Sequence, residues 1–313
     1  MQDGDAVYHI PVLLERSIEF LVTDPQGIYV DGTLGGGGHS RLLLSRLGEK
    51  SRVLGFDQDA DAIRHARNLF ADDPRLEVVH DNVVHLRRLL HQFGIHAIDG
   101  ILLDLGVSSH QIDEPERGFS FRFDGPLDMR MDRERNVTAA DLITQSTEEE
   151  LARMFFAYGE ERGSRRIAHA IVRERSRRPI RRTAELVEVI SGAVSPAHRN
   201  KTLARIFQAL RIAVNRELGV LEETLAEAVD LLAVGGRMVV ISYHSLEDRI
   251  VKHLLRGEAA TCVCPPRTPV CVCGKVARIR LLNTRHIEAD ENEVRRNPRA
   301  RSARLRAGEK IHA

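Results

Sequence analysis

From residue 28 to 103 the apolar positions switch period repeatedly. Short continuous runs at 28–30, 52–56, 76–79 and 100–103 alternate with helically spaced runs at 41–47, 60–70 and 84–93. Strands alternating with amphipathic helices predict a parallel sheet wound by right-handed crossovers, an α/β fold of the Rossmann-like kind. After Leu105 the pattern changes. A stretch rich in Gly, Pro and Phe runs to about Asp132, and mostly helical sequence follows. Thr147 and Glu150 make a capping box for a helix reaching Tyr158. A second helix spans 164–178 and stops at Pro179, and Thr183 caps a third that reaches about Ile190. From Lys201 one helical stripe (Ile206, Leu210, Val214, Leu218, Leu221, Leu225, Val229) leads to Gly235 and Gly236, and 237–242 returns to strand. The economical division is 1–112 and 217–313 for the two parts of the α/β domain, with 113–216 as an inserted helical domain.

In such sheets ligands bind beyond the carboxyl ends of the strands, at crossover points. Asp31, Asp57, Asp81 with Asn82, and Asp104 stand at four of these ends. Between Asp31 and His39 lie Gly35, Gly36, Gly37 and Gly38, leading into a helix. A glycine run there lets backbone N–H groups approach a ligand at the positive end of a helix. Asp57 follows the loop by about 20 residues, the distance at which such folds place a carboxylate on a ribose. The site is therefore one for a nucleoside cofactor. A dinucleotide fingerprint asks for a third small residue where Ser40 stands, and a pyrophosphate repels the carboxylate of Asp31. The amino group and sulfonium of S-adenosylmethionine attract one. S-adenosylmethionine is preferred, with an NAD-dependent oxidoreductase as the rival reading.

Whole-chain charge is uninformative, with 46 basic against 45 acidic residues, but its distribution is not. Residues 160–216 hold fourteen Lys or Arg against five Asp or Glu. Residues 173–182 hold six arginines, and 295–306 another six. Two basic clusters on a neutral chain imply a local polyanion footprint. A non-enzymatic RNA-binding protein would use those arginines but leave the glycine loop and strand-end carboxylates without a purpose. The first residues lack a basic stretch followed by an apolar one, and no apolar run approaches the ~20 residues of a membrane span, so a cytoplasmic protein without membrane association is expected. All four cysteines, Cys262, Cys264, Cys271 and Cys273, fall within one proline-rich stretch. In a reducing compartment they read either as a structural tetrathiolate zinc site or as reduced thiols, and the C-x-C spacing leaves both open.

Eight segments carry a resemblance that runs along nearly the whole chain. They begin at His9, Asp31, Leu102, Arg117, Asp124, Tyr158, Ser242 and Asn297, and read HIPVLL, DGTLGGGGHS, LLDLGVSS, RGFSFR, DGPLDMRMD, YGEER, SYHSLEDR and NPRARS. In this order they resemble the bacterial small-subunit (16S) ribosomal RNA cytosine-N4 methyltransferases. The resemblance implies a class I methyltransferase fold with a mostly parallel sheet, S-adenosylmethionine as cofactor, and 16S rRNA or the small ribosomal subunit as partner. It implies a cytidine near the decoding region as target. By motif position Gly37, Gly38 and His39 would line the cofactor loop and Asp57 would hold the ribose. Val83, Asp104 and Gln111 would complete the set. Zinc does not follow from the resemblance. Oligomeric state stays open, with a homodimer as one arrangement that would widen the basic footprint.

The acceptor amine of cytosine is conjugated with its ring and poorly nucleophilic, so a nearby acceptor must take up its growing charge and its proton. Asp104 is the catalytic candidate, either in that role or as a holder of the cofactor. The residues after it are Leu105-Gly-Val-Ser108, without an aromatic to stack on the base. Phe119, Phe121 and Phe123 alternate, which favours core over a stacking face for a flipped base. Tyr243, His244 and Ser245, at the end of a fifth strand, are candidates for contacting the target nucleotide.

Overall fold

A computed structural model describes residues 11–265 and 270–312. His9 and Ile10 of the first family segment, the N-terminal residues read for a leader, and residues 266–269 of the cysteine stretch lie outside them. Contacts divide the chain into two compact units, residues 1–106 with 218–313, and residues 107–217.

The first unit opens with α1 (Leu14–Leu21), β1 (Ile28–Asp31), α2 (Gly38–Arg46), β2 (Arg52–Asp57), α3 (Ala60–Leu69), β3 (Leu76–His80), α4 (Leu86–Gln92) and β4 (Ile98–Asp104). The second unit holds α5 (Ser109–Asp113), α6 (Ala139–Gln145), α7 (Glu148–Gly159), α8 (Ser164–Arg175), α9 (Thr183–Ala193) and α10 (Arg199–Asn215). The chain then returns to the first through α11 (Glu217–Leu231), β5 (Leu232–Ser242), α12 (Ser245–Ala259), β6 (Ile279–Leu281), α13 (Glu291–Arg296) and β7 (Arg304–Lys310).

The seven strands form one sheet in the order β3-β2-β1-β4-β5-β7-β6. Strands β1 to β5 are parallel, and β7 runs antiparallel between β5 and β6. This is the expected Rossmann-like class I arrangement with a mostly parallel sheet. The order reverses at β1 and β4, so the ends of these two strands flank the crossover crevice. Both faces of the sheet are covered, and the strand period of two decides which side chain serves which face. Val30, Ile101, Leu103, Met238 and Val240 pack on one side with α4 and α11. Tyr29, Leu102, Val239 and Ile241 pack on the other with α1 and α2.

The second unit has its own core, built from Leu151, Phe155, Ile167, Ile171, Leu186, Ile206 and Leu210 among others. The capping box on α7 forms as the sequence predicts, with Thr147 and Glu150 exchanging hydrogen bonds. Thr183 does not cap α9. Its hydroxyl donates to the Phe123 carbonyl and accepts from the Gly125 amide, while the Glu185 carboxylate accepts the Arg181 and Arg182 amides ahead of the helix. The continuous stripe from Ile206 to Val229 is two helices. Arg216 takes a left-handed conformation (φ 54°) between α10 and α11. Ile206, Leu210 and Val214 belong to the second unit's core, and Leu221, Leu225 and Val229 to the sheet's. Phe119 is buried, Phe121 packs edge-on against Phe207 with ring centres 5.6 Å apart, and Phe123 is exposed. The alternating phenylalanines thus divide between core and surface rather than forming one stacking face.

No helix among the described residues is long and apolar enough to cross a membrane.

Candidate active site

The glycine loop is shaped by what it must pass. Helix α2 begins at Gly38, three residues earlier than the hydropathy predicts, so Gly38 and His39 lie in its first turn. Gly37 caps it at φ 74°, and a Cβ there would stand 2.7 Å from the Phe70 ring. Only glycine meets both demands without strain. Under the loop, a Cβ at Gly32 would lie 2.4 Å from Leu103 Cδ2 and 2.9 Å from Val83 Cγ2. Val83 follows β3, directly after Asn82, and remains partly exposed.

Asp57 ends β2 and closes the loop from the far side. Its Oδ2 accepts the Gly35 amide and its Oδ1 the Asp59 amide, both at 2.8 Å. Burial pushes its carboxyl up to about 6, against the lowering effect of those two amides. Next to it, Gln58 Oε1 accepts from the Asn82 side chain at 2.7 Å, linking the ends of β2 and β3.

Asp31, which sequence reasoning turns toward the cofactor, is only 1% exposed. Its oxygens accept the Ser40 hydroxyl at 2.7 Å and the Thr33 amide at 3.2 Å. The residue that spoils a dinucleotide fingerprint therefore has a use: it ties the first turn of α2 to the end of β1. Burial raises the Asp31 carboxyl above the ordinary range.

Asp104 ends β4. Its amide donates to Thr33 Oγ1 at 2.6 Å, and its Oδ1 accepts the Tyr243 hydroxyl at 2.8 Å. Burial and the Asp104 charge push the Tyr243 phenol well above 10, so it stays protonated and donates. Tyr243 therefore orients a carboxylate, where its strand-end position predicts a contact with the nucleotide. His39 reaches the same carboxylate, its Nδ1 lying 3.7 Å from Asp104 Oδ2, while Nε2 donates to the Val12 carbonyl at 3.1 Å. Burial lowers the His39 pKa, which keeps the ring neutral. A neutral ring holding a carbonyl on one side serves as a spacer between the N-terminal segment and the strand ends.

After Tyr243, the Glu247 carboxylate accepts the Tyr243 amide at 2.9 Å and the His244 amide at 3.3 Å. Glu247's own amide approaches His244 Nδ1 at 3.4 Å. His244 Nε2 is buried 3.2 Å from Glu247 Oε1, yet makes no hydrogen bond among the described residues. Thr33, Gln58 and Glu247 were not anticipated, although the first follows the strand-end Asp31 by two positions and the second adjoins Asp57.

The structure thus brings Gly37, Gly38, His39, Asp57, Val83 and Asp104 into the first unit's strand ends and the turns that follow them. Gln111 lies in the other unit. There it is 5% exposed and forms a reciprocal cap, its Oε1 accepting the Ser108 amide at 3.1 Å and its amide donating to Ser108 Oγ at 3.2 Å. The arginine clusters also separate. Arg304 and Arg306 pair with Asp248, Arg306 through two hydrogen bonds of 2.6 and 3.2 Å. Arg173, Arg177 and Arg181 are exposed and make no ion pair among the described residues.

The sequence model of the MraW methylase family matches residues 6–311. The chain is 49% identical over 309 residues to the ribosomal RNA small subunit methyltransferase H of Heliobacterium modesticaldum, covering 97% of this chain and 99% of that protein. It is 51% identical over 309 residues to the protein of that name from Geobacter sulfurreducens, with the same shares covered. With a family model matching nearly the whole chain and relatives about half identical over their full length, the chain belongs to the MraW methylase family.

Proposed function

We infer that this chain transfers a methyl group from S-adenosylmethionine to the N4 amine of a cytidine in 16S ribosomal RNA, near the decoding region. The observation that supports it is a pair of carboxylates at the ends of β2 and β4, the strands on either side of β1. Asp57 is built into the glycine loop through the Gly35 amide, and Asp104 is oriented by Tyr243. The residues suit the cofactor. Asp57 remains partly exposed, with room to accept ribose hydroxyls, and Val83 offers an apolar surface to adenine. The first turn of α2, Gly38 and His39 behind Gly37, presents backbone amides. Gln111 joins the set by motif position. Bound there, S-adenosylmethionine supplies a methyl group already activated by its sulfonium.

The protein's own task is alignment and proton acceptance. Asp104 accepts a hydrogen bond from the target amine, favours its growing positive charge, and takes the departing proton. Tyr243 fixes the carboxylate's orientation so that this geometry exists before the substrate arrives. His244 Nε2, buried with no hydrogen bond among the described residues, is a donor held for the target nucleotide. Arg173, Arg177 and Arg181 bind phosphates, which gives affinity and register without base identity. Acting on small-subunit ribosomal RNA as its bacterial relatives are named for doing, the chain would meet that substrate in the cytoplasm.

The test supplies methyl-labelled S-adenosylmethionine with small ribosomal subunits from cells lacking the protein, followed by digestion and nucleoside mass analysis. Label in N4-methylcytidine is the expected result. Label in another nucleoside, or none despite cofactor binding, would overturn the assignment of the target atom.

A further inference from the structure

The four cysteines lie between α12 and β6, and none of the strand-end residues is among them. Their sulfurs crowd together. Cys262 to Cys271 and Cys271 to Cys273 are 3.5 Å apart, while Cys264 to Cys271 and Cys262 to Cys273 are 3.9 Å. All four ligand atoms lie within 4.8 Å of one another. These are free thiols, far outside the ~2.05 Å of a disulfide bond. A tetrahedral zinc with Zn–S bonds of ~2.3 Å would hold its sulfurs ~3.8 Å apart, within the range found here.

Among the described residues of this segment, nothing else accounts for the convergence. Val263, Val270, Val272 and Val276 are 62%, 71%, 83% and 55% exposed, so its apolar side chains face outward and build no core. Fixing each residue's backbone costs ~1–2 kcal/mol, and a stretch that buries so little apolar surface has small means to offset it. Two amides point at sulfur, Cys264 N–H toward Cys262 Sγ and Val263 N–H toward Cys273 Sγ, both at 3.4 Å. Such N–H···S interactions are the outer-shell partners that orient thiolate ligands.

We propose that Cys262, Cys264, Cys271 and Cys273 bind one zinc ion as a structural tetrathiolate site that fixes the connection between α12 and β6. Each thiol gives up its proton on binding, and four thiolates leave no open coordination position, so the ion takes no part in methyl transfer. What it secures is the entry to β6. There Ile279 is 1% exposed in the sheet's core, and Arg278 bridges Glu258 and Asp230 at 2.7 Å each.

The full chain, purified without an affinity tag or chelator, is assayed by elemental mass spectrometry. The expected content is about one zinc per chain, falling below about a tenth in Cys264→Ser and in Cys271→Ser and staying near one in Asp57→Asn. If the serine variants do not fold, cobalt(II) exchange into the unaltered protein decides the matter. Thiolate-to-metal charge transfer with tetrahedral visible bands supports the site. A folded protein that takes up no metal on dialysis against zinc(II), while all four thiols react at once with a thiol reagent, overturns it. So does a mass showing two disulfides.

Discussion

Asp57 is held between two demands. Burial favours its neutral form and sets its titration near pH 6, while a ribose donating two hydroxyls requires the charged form. Cofactor affinity should therefore be flat above pH 7 and weaken as pH falls through 6, by about tenfold at pH 5. Calorimetric titration of S-adenosylmethionine from pH 5 to 8 reads this directly, and a flat profile would remove Asp57 from the ribose. Asp57→Asn should bind roughly 10- to 100-fold more weakly and lose the pH dependence, since its hydrogen bonds no longer involve a charge. Asp104→Asn separates the two roles considered for that residue. A proton acceptor predicts kcat lower by about 10²-fold or more with cofactor affinity little changed, whereas a cofactor holder predicts weakened binding. Tyr243→Phe should show a smaller loss of the same kind, because it leaves the carboxylate in place and removes only its orientation. The carboxylates themselves were legible in the sequence, standing where strand runs end. Their partners were not. Tyr243 meets Asp104 across 139 positions, and Thr33 meets it across 71, separations that no periodicity encodes.

Elements were legible wherever one core imposed one period, and misread where two cores did. The stripe from Ile206 to Val229 continues through Arg216 because α10 and α11 each need apolar residues at helical spacing. The break rests on a single left-handed arginine, a residue type that carries no turn signal. Glycine is the opposite case. Gly118 stands at φ 71°, and a Cβ there would lie 2.1 Å from the Pro126 carbonyl oxygen, a backbone atom without freedom to withdraw. It follows Arg117, which is 2% exposed and donates to the Arg130 and Met131 carbonyls at 3.1 and 3.2 Å. The segment from Arg117 to Arg122, read from sequence as a family signature whose phenylalanines favour core, builds the inserted unit. Gly118→Ala should cost roughly 3 kcal/mol through backbone strain and collision, seen as a lower midpoint in denaturant unfolding. An unchanged midpoint would mean that the loop re-forms freely, and its rigidity would then explain nothing about the unit.

At the scale of the whole molecule, 46 positive and 45 negative charges cancel while their placement does not. Composition showed two arginine clusters as equals because it counts side chains without their partners. The cluster at 295–306 runs into β7, an antiparallel element that strand–helix alternation had given no reason to expect, and there Arg304 and Arg306 neutralise Asp248. The cluster at 173–182 keeps Arg173, Arg177 and Arg181 exposed and unpaired among the described residues. Exposed arginines without an acidic partner are the ones that can displace counterions from RNA, and Arg296 and Arg301 of the other cluster share that character. Replacing Arg173, Arg177 and Arg181 with alanine should weaken binding to small-subunit RNA and lower the slope of log K against log salt by about 2, at ~0.7 for each phosphate of a single strand that is no longer neutralised. Arg306→Ala should leave that slope unchanged and lower thermal stability, because it strips a partner from the buried Asp248. Filter binding across a salt series distinguishes the two. Equal slopes for the triple variant and the parent would remove the inserted unit from the RNA-binding surface, even if methylation itself were confirmed.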